Sequence, residues 1–257
     1  MPEIHPSAFV SPKAVLADDV TVGPFSIIEE DVQIGAGSQI HTHVLVAKGA
    51  RIGEKCIIHH GAAVGTVPQD LKFGGEKTTL EIGDQTVIRE FCDLNRGTDA
   101  SGKTVIGKNN FLMAYSHVAH DCVLGDNVIL SNGVQLGGHV TIEDYVIIGG
   151  MSPVHQFCKI GQHAFIGGGW RVPQDVPPYV LAAGDPLGYK GLNLTGLKRR
   201  GFKKETTQAL HTCYRLLYHA KLKRAQALEV IRTEVPSIPE VRNVLKFIEN
   251  SERGIIR

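Results

Sequence analysis

Residues 114–122 read AYSHVAHDC, which sets His117, His120 and Asp121 close together. A histidine exchanges its proton near neutral pH, so it can serve as a general base. A neighbouring carboxylate can orient the ring and support its charged form. Successive residues of a strand point to opposite faces, so a pairing of His120 with Asp121 requires a turn at this position.

The scaffold around these residues is a six-residue repeat. Stepping by six from Ile4 to Val172 gives 29 positions, of which 26 are Ile, Leu or Val; Asp70, Glu76 and Ala100 are the exceptions. Four residues after each aliphatic lies a second column, small at 23 of the 26 positions, with Pro68, Asn110 and Trp170 departing from it. Gly follows the aliphatic directly at 11 of the 26 repeats, which suggests corners that need positive φ. A large and a small inward residue per six describe a short strand and a corner. Three such sides close a coil of 18 residues, and stacked coils form a parallel β-helix. Residues 65–81, GTVPQDLKFGGEKTTLE, break the pattern for about one coil, and 97–104, GTDASGKT, form a shorter excursion. Loops of a solenoid gather on its binding face, so both are functional candidates.

Stacking by 18 places Gly138 above His120, Gln156 above Gly138, and His139 above Asp121, with His155 beside Gln156. These form adjacent columns on one corner, with rungs ~4.8 Å apart. The backbone N–H of Gly138 is then available to an oxyanion. The remaining coil histidines, His5, His41, His43, His59, His60 and His163, fall on hexad flanks where surface placement is expected. Cys56, Cys92, Cys122 and Cys158 occupy the small inward column and read as core fillers. Cys122 and Cys158 are two coils apart, ~9–10 Å at sheet spacing, too far for a disulfide.

The hexads stop near Val176, and VPPYVLAAGDPLGYKGLN reads as a Pro/Gly-rich connector. Beyond it Leu210, Cys213, Tyr214 and Leu217 recur at helical spacing, as do Leu228, Ile231 and Val235, then Val241, Val244, Leu245 and Ile248. Net charge is +1, but residues 197–257 carry 14 Lys/Arg against six Asp/Glu while the remainder carries 13 against 20. The asymmetry suggests an acidic partner for the tail. No apolar run is long enough to span a membrane and no signal peptide is apparent, so a cytoplasmic location is the default.

The hexads together with QDLKFGGE (69–76), HVAHDC (117–122), GGH (137–139), IIGGMSPVHQF (147–157), QDVPPYV (174–180) and GLKRRGF (196–202) resemble the UDP-N-acetylglucosamine O-acyltransferase family, in order and over nearly the whole chain. The resemblance implies an all-β left-handed parallel β-helix over residues 1–190 and an α-helical domain over 191–257. It implies a homotrimer with active sites between neighbouring subunits. The family begins lipid A biosynthesis by moving an (R)-3-hydroxyacyl group from acyl carrier protein to the 3-OH of UDP-N-acetylglucosamine. Carried over by motif, His120 is the base, Asp121 its supporting carboxylate and Gly138 the oxyanion donor. Gln69, Asp70 and Lys72 contact sugar and diphosphate, and His117, His139, His155 and Gln156 line the cleft. Asn193, Arg199 and Arg200 contact the nucleotide, and Gly168 stands where acyl length is set. No metal, cofactor, nucleic acid or integral membrane segment is implied. The basic tail suits an acidic carrier protein. Two departures stand out: Thr195 replaces an acid, and Trp170 fills a normally small position.

Other readings stay open at this stage. A related N-acyltransferase carries an extra domain ahead of its hexads, whereas here they begin at Ile4. A γ-type carbonic anhydrase uses the same coil and holds zinc with histidines between subunits, which a metal assay would reveal. A non-catalytic solenoid has no use for the His–Asp–Gly column. The acyl length, and a 3-OH against a 3-amino acceptor, are not fixed by these residues.

Overall fold

The computed structural model describes residues 1–257. Its first 166 residues form 25 short strands, most of only two residues, in three parallel sheets. The first sheet starts at Glu3–Ile4, the second at Phe9–Val10 and the third at Val15–Leu16, and each strand pairs with the strand one coil on. We call the corner between first and second sheets corner I, that between second and third corner II, and that between third and first corner III.

The inward columns are those of the repeat. Ile28, Ile58, Ile88, Leu112, Leu130 and Ile148 are fully buried, as are Ser26, Cys56 and Cys158. All five cysteines are free and buried, and burial pushes the Cys122 thiol up to about 12. These cysteines are core fillers with no nucleophilic character at neutral pH.

The corners differ from the sequence expectation. The positive-φ residue lies three positions after the aliphatic and is usually not glycine: Asp31, His43, Phe91, Tyr115, Asp121, His139 and Phe157 all sit near +60°. Gly65 apart, the glycines directly after the aliphatic have no positive φ. They are needed because the next coil passes so close. A Cβ on Gly35 would meet Gly53 at 2.7 Å, and one on Gly107 would meet Gly125 at 2.5 Å.

Both excursions leave at corner II. The first joins Ala63–Thr66 to Thr79–Ile82, and the second joins Asp93–Asn95 to Lys103–Ile106. Leu80 pairs with Ala50 below it and Thr104 above it, so the first loop is inserted at a corner and no coil is missing.

The expected connector is ordered structure. Val176 bridges to Ile160, Val180–Ala183 adds in parallel to Phe165–Ile166, and Gly188–Leu192 returns antiparallel. This hairpin covers the open upper edge, which a solenoid otherwise leaves unpaired. Four helices follow: α1 (Leu194–Arg199), α2 (Lys204–Tyr218), α3 (Arg224–Glu234) and α4 (Pro239–Glu249). Leu210, Tyr214, Val244 and Ile248 join the coil's own hydrophobic core, and the Tyr214 hydroxyl donates to Pro178 O at 2.5 Å. No helix is long and apolar enough to cross a membrane.

Candidate active site

Corner II positions the site. Asp121 adopts φ +59°, and this turn brings its side chain to that of His120: Nδ1 lies 2.7 Å from Asp121 Oδ2. The Asp121 side chain is 0% exposed and that of His120 14%. Burial alone would push the Asp121 carboxyl up. Hydrogen bonds from Ser101, Thr98 and His120 overcome it and hold the group at about 2. An ionised carboxylate only accepts, so Nδ1 of neutral His120 carries the hydrogen and Nε2 keeps its lone pair. That is the form a general base needs.

Gly138 lies one rung above. A Cβ there would meet His120 Cε1 at 2.6 Å and Nε2 at 2.8 Å, so the imidazole rests against the glycine backbone. No carbonyl or side chain of the chain accepts from the Gly138 N–H. A free N–H beside the free imidazole nitrogen can receive negative charge developing on a substrate oxygen. His139 stands edge-on to His120 at 5.2 Å and stacks on Phe157 at 4.5 Å. His155 bonds the Gln156 carbonyl at 3.1 Å, two coils above His120. His120, Asp121 and His139 offer three atoms within 4.8 Å of one another, the chain's one grouping with metal-ligand spacing. As it stands, the direct His120–Asp121 bond makes it a hydrogen-bonded pair.

A second pair lies one strand below. His117 and Asp93 are ladder partners with Nδ1 3.0 Å from Oδ2. Gln69 of the first loop donates to Asp93 Oδ2 at 2.9 Å. Burial works to raise the Asp93 carboxyl, but the bonds from His117, Thr66 and Gln69 leave it lowered. Lys72 N–H donates to Asp70 Oδ1, closing a turn that exposes the Lys72 side chain. Asp93, Thr98 and Ser101 escape a reading of the sequence because the second loop breaks the 18-residue spacing: Asp93 and His117 are 24 apart.

The other expected residues are elsewhere within the chain. Asn193 caps α1, accepting from Gly196 N–H and donating to His163 O at 3.0 Å. Arg200 lies over the Tyr145 ring at 3.9 Å, and Arg199 is exposed. These belong to corner III. His163, expected at the surface, is buried there between Tyr145 and Tyr179. Burial, with Arg200 beside it, pushes its imidazole down to about 4. Gly168 is exposed on corner I, and Trp170 folds back over Gly167.

Stacked six-residue coils place the chain among the hexapeptide-repeat proteins, with a histidine–aspartate pair at one corner. The signature described as bacterial transferase hexapeptide matches residues 13–48 and 103–138. That described as UDP-N-acetylglucosamine O-acyltransferase, domain 2, matches residues 175–256. An acyl-[acyl-carrier-protein]–UDP-N-acetylglucosamine O-acyltransferase from Thiobacillus denitrificans is 52% identical over 258 residues, covering 100% of both chains. One from Stenotrophomonas maltophilia is 50% identical, covering 100% of this chain and 98% of its own. The solved LpxA from Acinetobacter baumannii has 46% identity and a TM-score of 0.96, with 99% of each chain covered. That from Bacteroides fragilis has 43% identity and a TM-score of 0.97, covering 98% and 99%. The chain belongs to the acyl-[acyl-carrier-protein]–UDP-N-acetylglucosamine O-acyltransferase family, and its fold is the left-handed parallel β-helix with a helical C-terminal region.

Proposed function

We propose that this enzyme moves an (R)-3-hydroxyacyl group from acyl carrier protein to the 3-OH of UDP-N-acetylglucosamine, the opening step of lipid A synthesis. The observation that carries the chemistry is the 2.7 Å His120–Asp121 bond beside Gly138. His120 Nε2 takes the proton of the sugar hydroxyl as its oxygen attacks the thioester carbonyl. Asp121 stabilises the imidazolium through Nδ1–H, and the Gly138 N–H receives the oxyanion. Collapse breaks the C–S bond, and His120 returns the proton to the departing thiolate. Gln69, Asp70 and Lys72 hold sugar and diphosphate, while His117, His139, His155 and Gln156 line the cleft. No step uses a metal, so a chelator leaves the rate unchanged. Loss of activity restored by zinc would favour an anhydrase-like site.

We further propose a homotrimer with corner I at the threefold axis. Corner I carries an exposed apolar column, with Phe25, Phe91, Tyr115 and Met151 each 45% exposed or more. The outer face of the first sheet is apolar from Ile57 through Val87, Phe111, Ile129 and Ile147 to Phe165. Corner III is polar by contrast, with Asp84 bound to Lys108 and Asp126 to the Lys108 N–H. In this packing corner II of one subunit faces corner III of the next, so Asn193, Arg199 and Arg200 reach the nucleotide from a neighbour. The basic tail beside them suits an acidic carrier protein in the cytoplasm.

The test is subunit mixing. His120→Ala and Arg199→Ala/Arg200→Ala chains, each nearly inactive alone, are denatured together and refolded. If the two groups come from different subunits, about one quarter of sites regain both and transfer returns to about that fraction of wild type. No recovery would place base and arginines in one chain and overturn the arrangement.

Gly168 gives a second check. Gly168→Met puts a long side chain beside Gly150, which a bare Cβ already approaches at 3.1 Å. The preferred acyl chain becomes shorter by several carbons in competition among carrier proteins of different length; unchanged preference would remove Gly168 from the groove.

A further inference from the structure

Asp121 is enclosed by the second loop, residues 96–102, which a regular coil does not need. The Thr98 N–H donates to Oδ1 at 3.0 Å and its hydroxyl to Oδ2 at 2.7 Å. The Ser101 hydroxyl, which also lies 2.8 Å from Lys103 O, donates to Oδ1, and His120 Nδ1 completes Oδ2. An ionised carboxylate has about four lone-pair positions, and all four are taken. The donors are themselves fixed. Thr98 Oγ1 accepts from the Ala100 N–H at 3.2 Å, which directs its own proton to Asp121. Gly102 N–H closes the loop on Thr98 O at 2.8 Å, and Gly97 N–H ties it to Thr79 O at 3.1 Å. No side chain fits at Gly97, where a Cβ would meet Lys103 N at 2.3 Å. From below, Thr104 Oγ1 accepts the Asp121 N–H at 2.8 Å.

We propose that Thr98 and Ser101 are positioning residues of the transfer reaction: their hydroxyls lock both oxygens of Asp121, so that the carboxylate serves His120 alone and His120 keeps a fixed tautomer and ring orientation. Two histidines compete for this carboxylate. His139 Nε2 stands 3.8 Å from the same Oδ2, outside hydrogen-bond range. With every lone pair occupied, His139 gains no bond there. The other titratable groups nearby do not substitute. Cys122 is buried and neutral, the Lys103 ammonium pairs with Glu81 at 3.1 Å, and His117 pairs with Asp93.

The clamp also sets the strength of the base. Three donors besides His120 spread the charge of Asp121. Removing either hydroxyl concentrates that charge on the Nδ1–H, which favours the imidazolium and raises the pH at which Nε2 becomes free. A defect of folding alone lowers activity without moving that pH.

The inference rests on His120 as the base, so His120→Ala is measured alongside. The experiment is the pH profile of kcat/KM for acyl transfer by wild type, Thr98→Val, Ser101→Ala and Thr98→Ser, each first shown to assemble as wild type does. Thr98→Val and Ser101→Ala lower the plateau about tenfold and move the acid limb up by about one pH unit, while Thr98→Ser restores both. If Thr98→Val does not fold, Ser101→Ala on the exposed side of the loop carries the test. An unmoved limb in folded variants, with His120→Ala inactive, overturns the clamp alone. Transfer surviving in His120→Ala overturns the base assignment beneath it.

Discussion

Substituting His120 by alanine lowers kcat for acyl transfer by ~10²–10⁴-fold, the range general-base catalysis contributes. The sugar hydroxyl is too weak an acid to attack a thioester at useful rate while it keeps its proton. His120 meets the structural demand on the proton acceptor. Its Nε2 is free, its Nδ1 is engaged by an ionised carboxylate, and it lies against the one glycine whose N–H is free beside it. KM for UDP-N-acetylglucosamine changes little, because the base acts chiefly in the transition state. The substitution leaves the fold intact, since the side chain contributes no aliphatic packing to the inner columns. A variant with near-normal kcat would mean that corner II is scaffold and the base lies elsewhere.

Asp121→Asn gives a loss of similar size, ~10²–10⁴-fold in kcat, by a different route. Asparagine fills the same volume but brings two N–H donors to a place where four donors already converge. Thr98 N–H, Thr98 Oγ1, Ser101 Oγ and His120 Nδ1 all need an acceptor. The amide satisfies some of them with its oxygen and turns its nitrogen toward another. Facing His120, that nitrogen favours the tautomer with hydrogen on Nε2, which cannot accept a proton. The two residues act as a unit, so the double variant is scarcely worse than His120→Ala alone. Additive losses would show that Asp121 works separately from His120. In wild type the carboxyl sits at about 2. Its folded-state value is therefore below its unfolded one, and the stability it supplies is present above the ordinary carboxylate range. That stability disappears as pH falls toward 2, well outside any working range of the enzyme.

The columns of the repeat were legible because each six-residue side repeats one burial pattern, and a spacing of 18 carries that pattern into three dimensions. His120, Asp121, Gly138, His139, His155 and Gln156 could be stacked from numbering alone, and the positive φ at Asp121 supplies the turn that their pairing requires. Wherever an insertion shifts the count, the method fails. Asp93 beneath His117, and Thr98 and Ser101 beneath Asp121, were hidden for that reason. The spacing marks the glycines following the aliphatic as corner residues, but their role is the narrow gap between coils. Residues 176–193 have Pro and Gly enough to look like a linker, yet the exposed upper edge of the sheets orders them into a hairpin. His163 shows the limit of a flank rule, since Tyr179 and Phe202 from the following segment cover it. Asn193 and Arg200 lie against His163 and Tyr145 at corner III while His120 stands at corner II, and an 18-residue spacing does not relate residues of different corners.

The measurement that tests the central claim most directly is product analysis after incubating the enzyme with UDP-N-acetylglucosamine and a series of (R)-3-hydroxyacyl carrier proteins. The account predicts one new species, a sugar nucleotide carrying a single acyl ester at the 3-oxygen, formed at a rate that collapses in His120→Ala. No acylated UDP-N-acetylglucosamine with any donor, or acylation only of an amino-sugar acceptor as an amide, would contradict it.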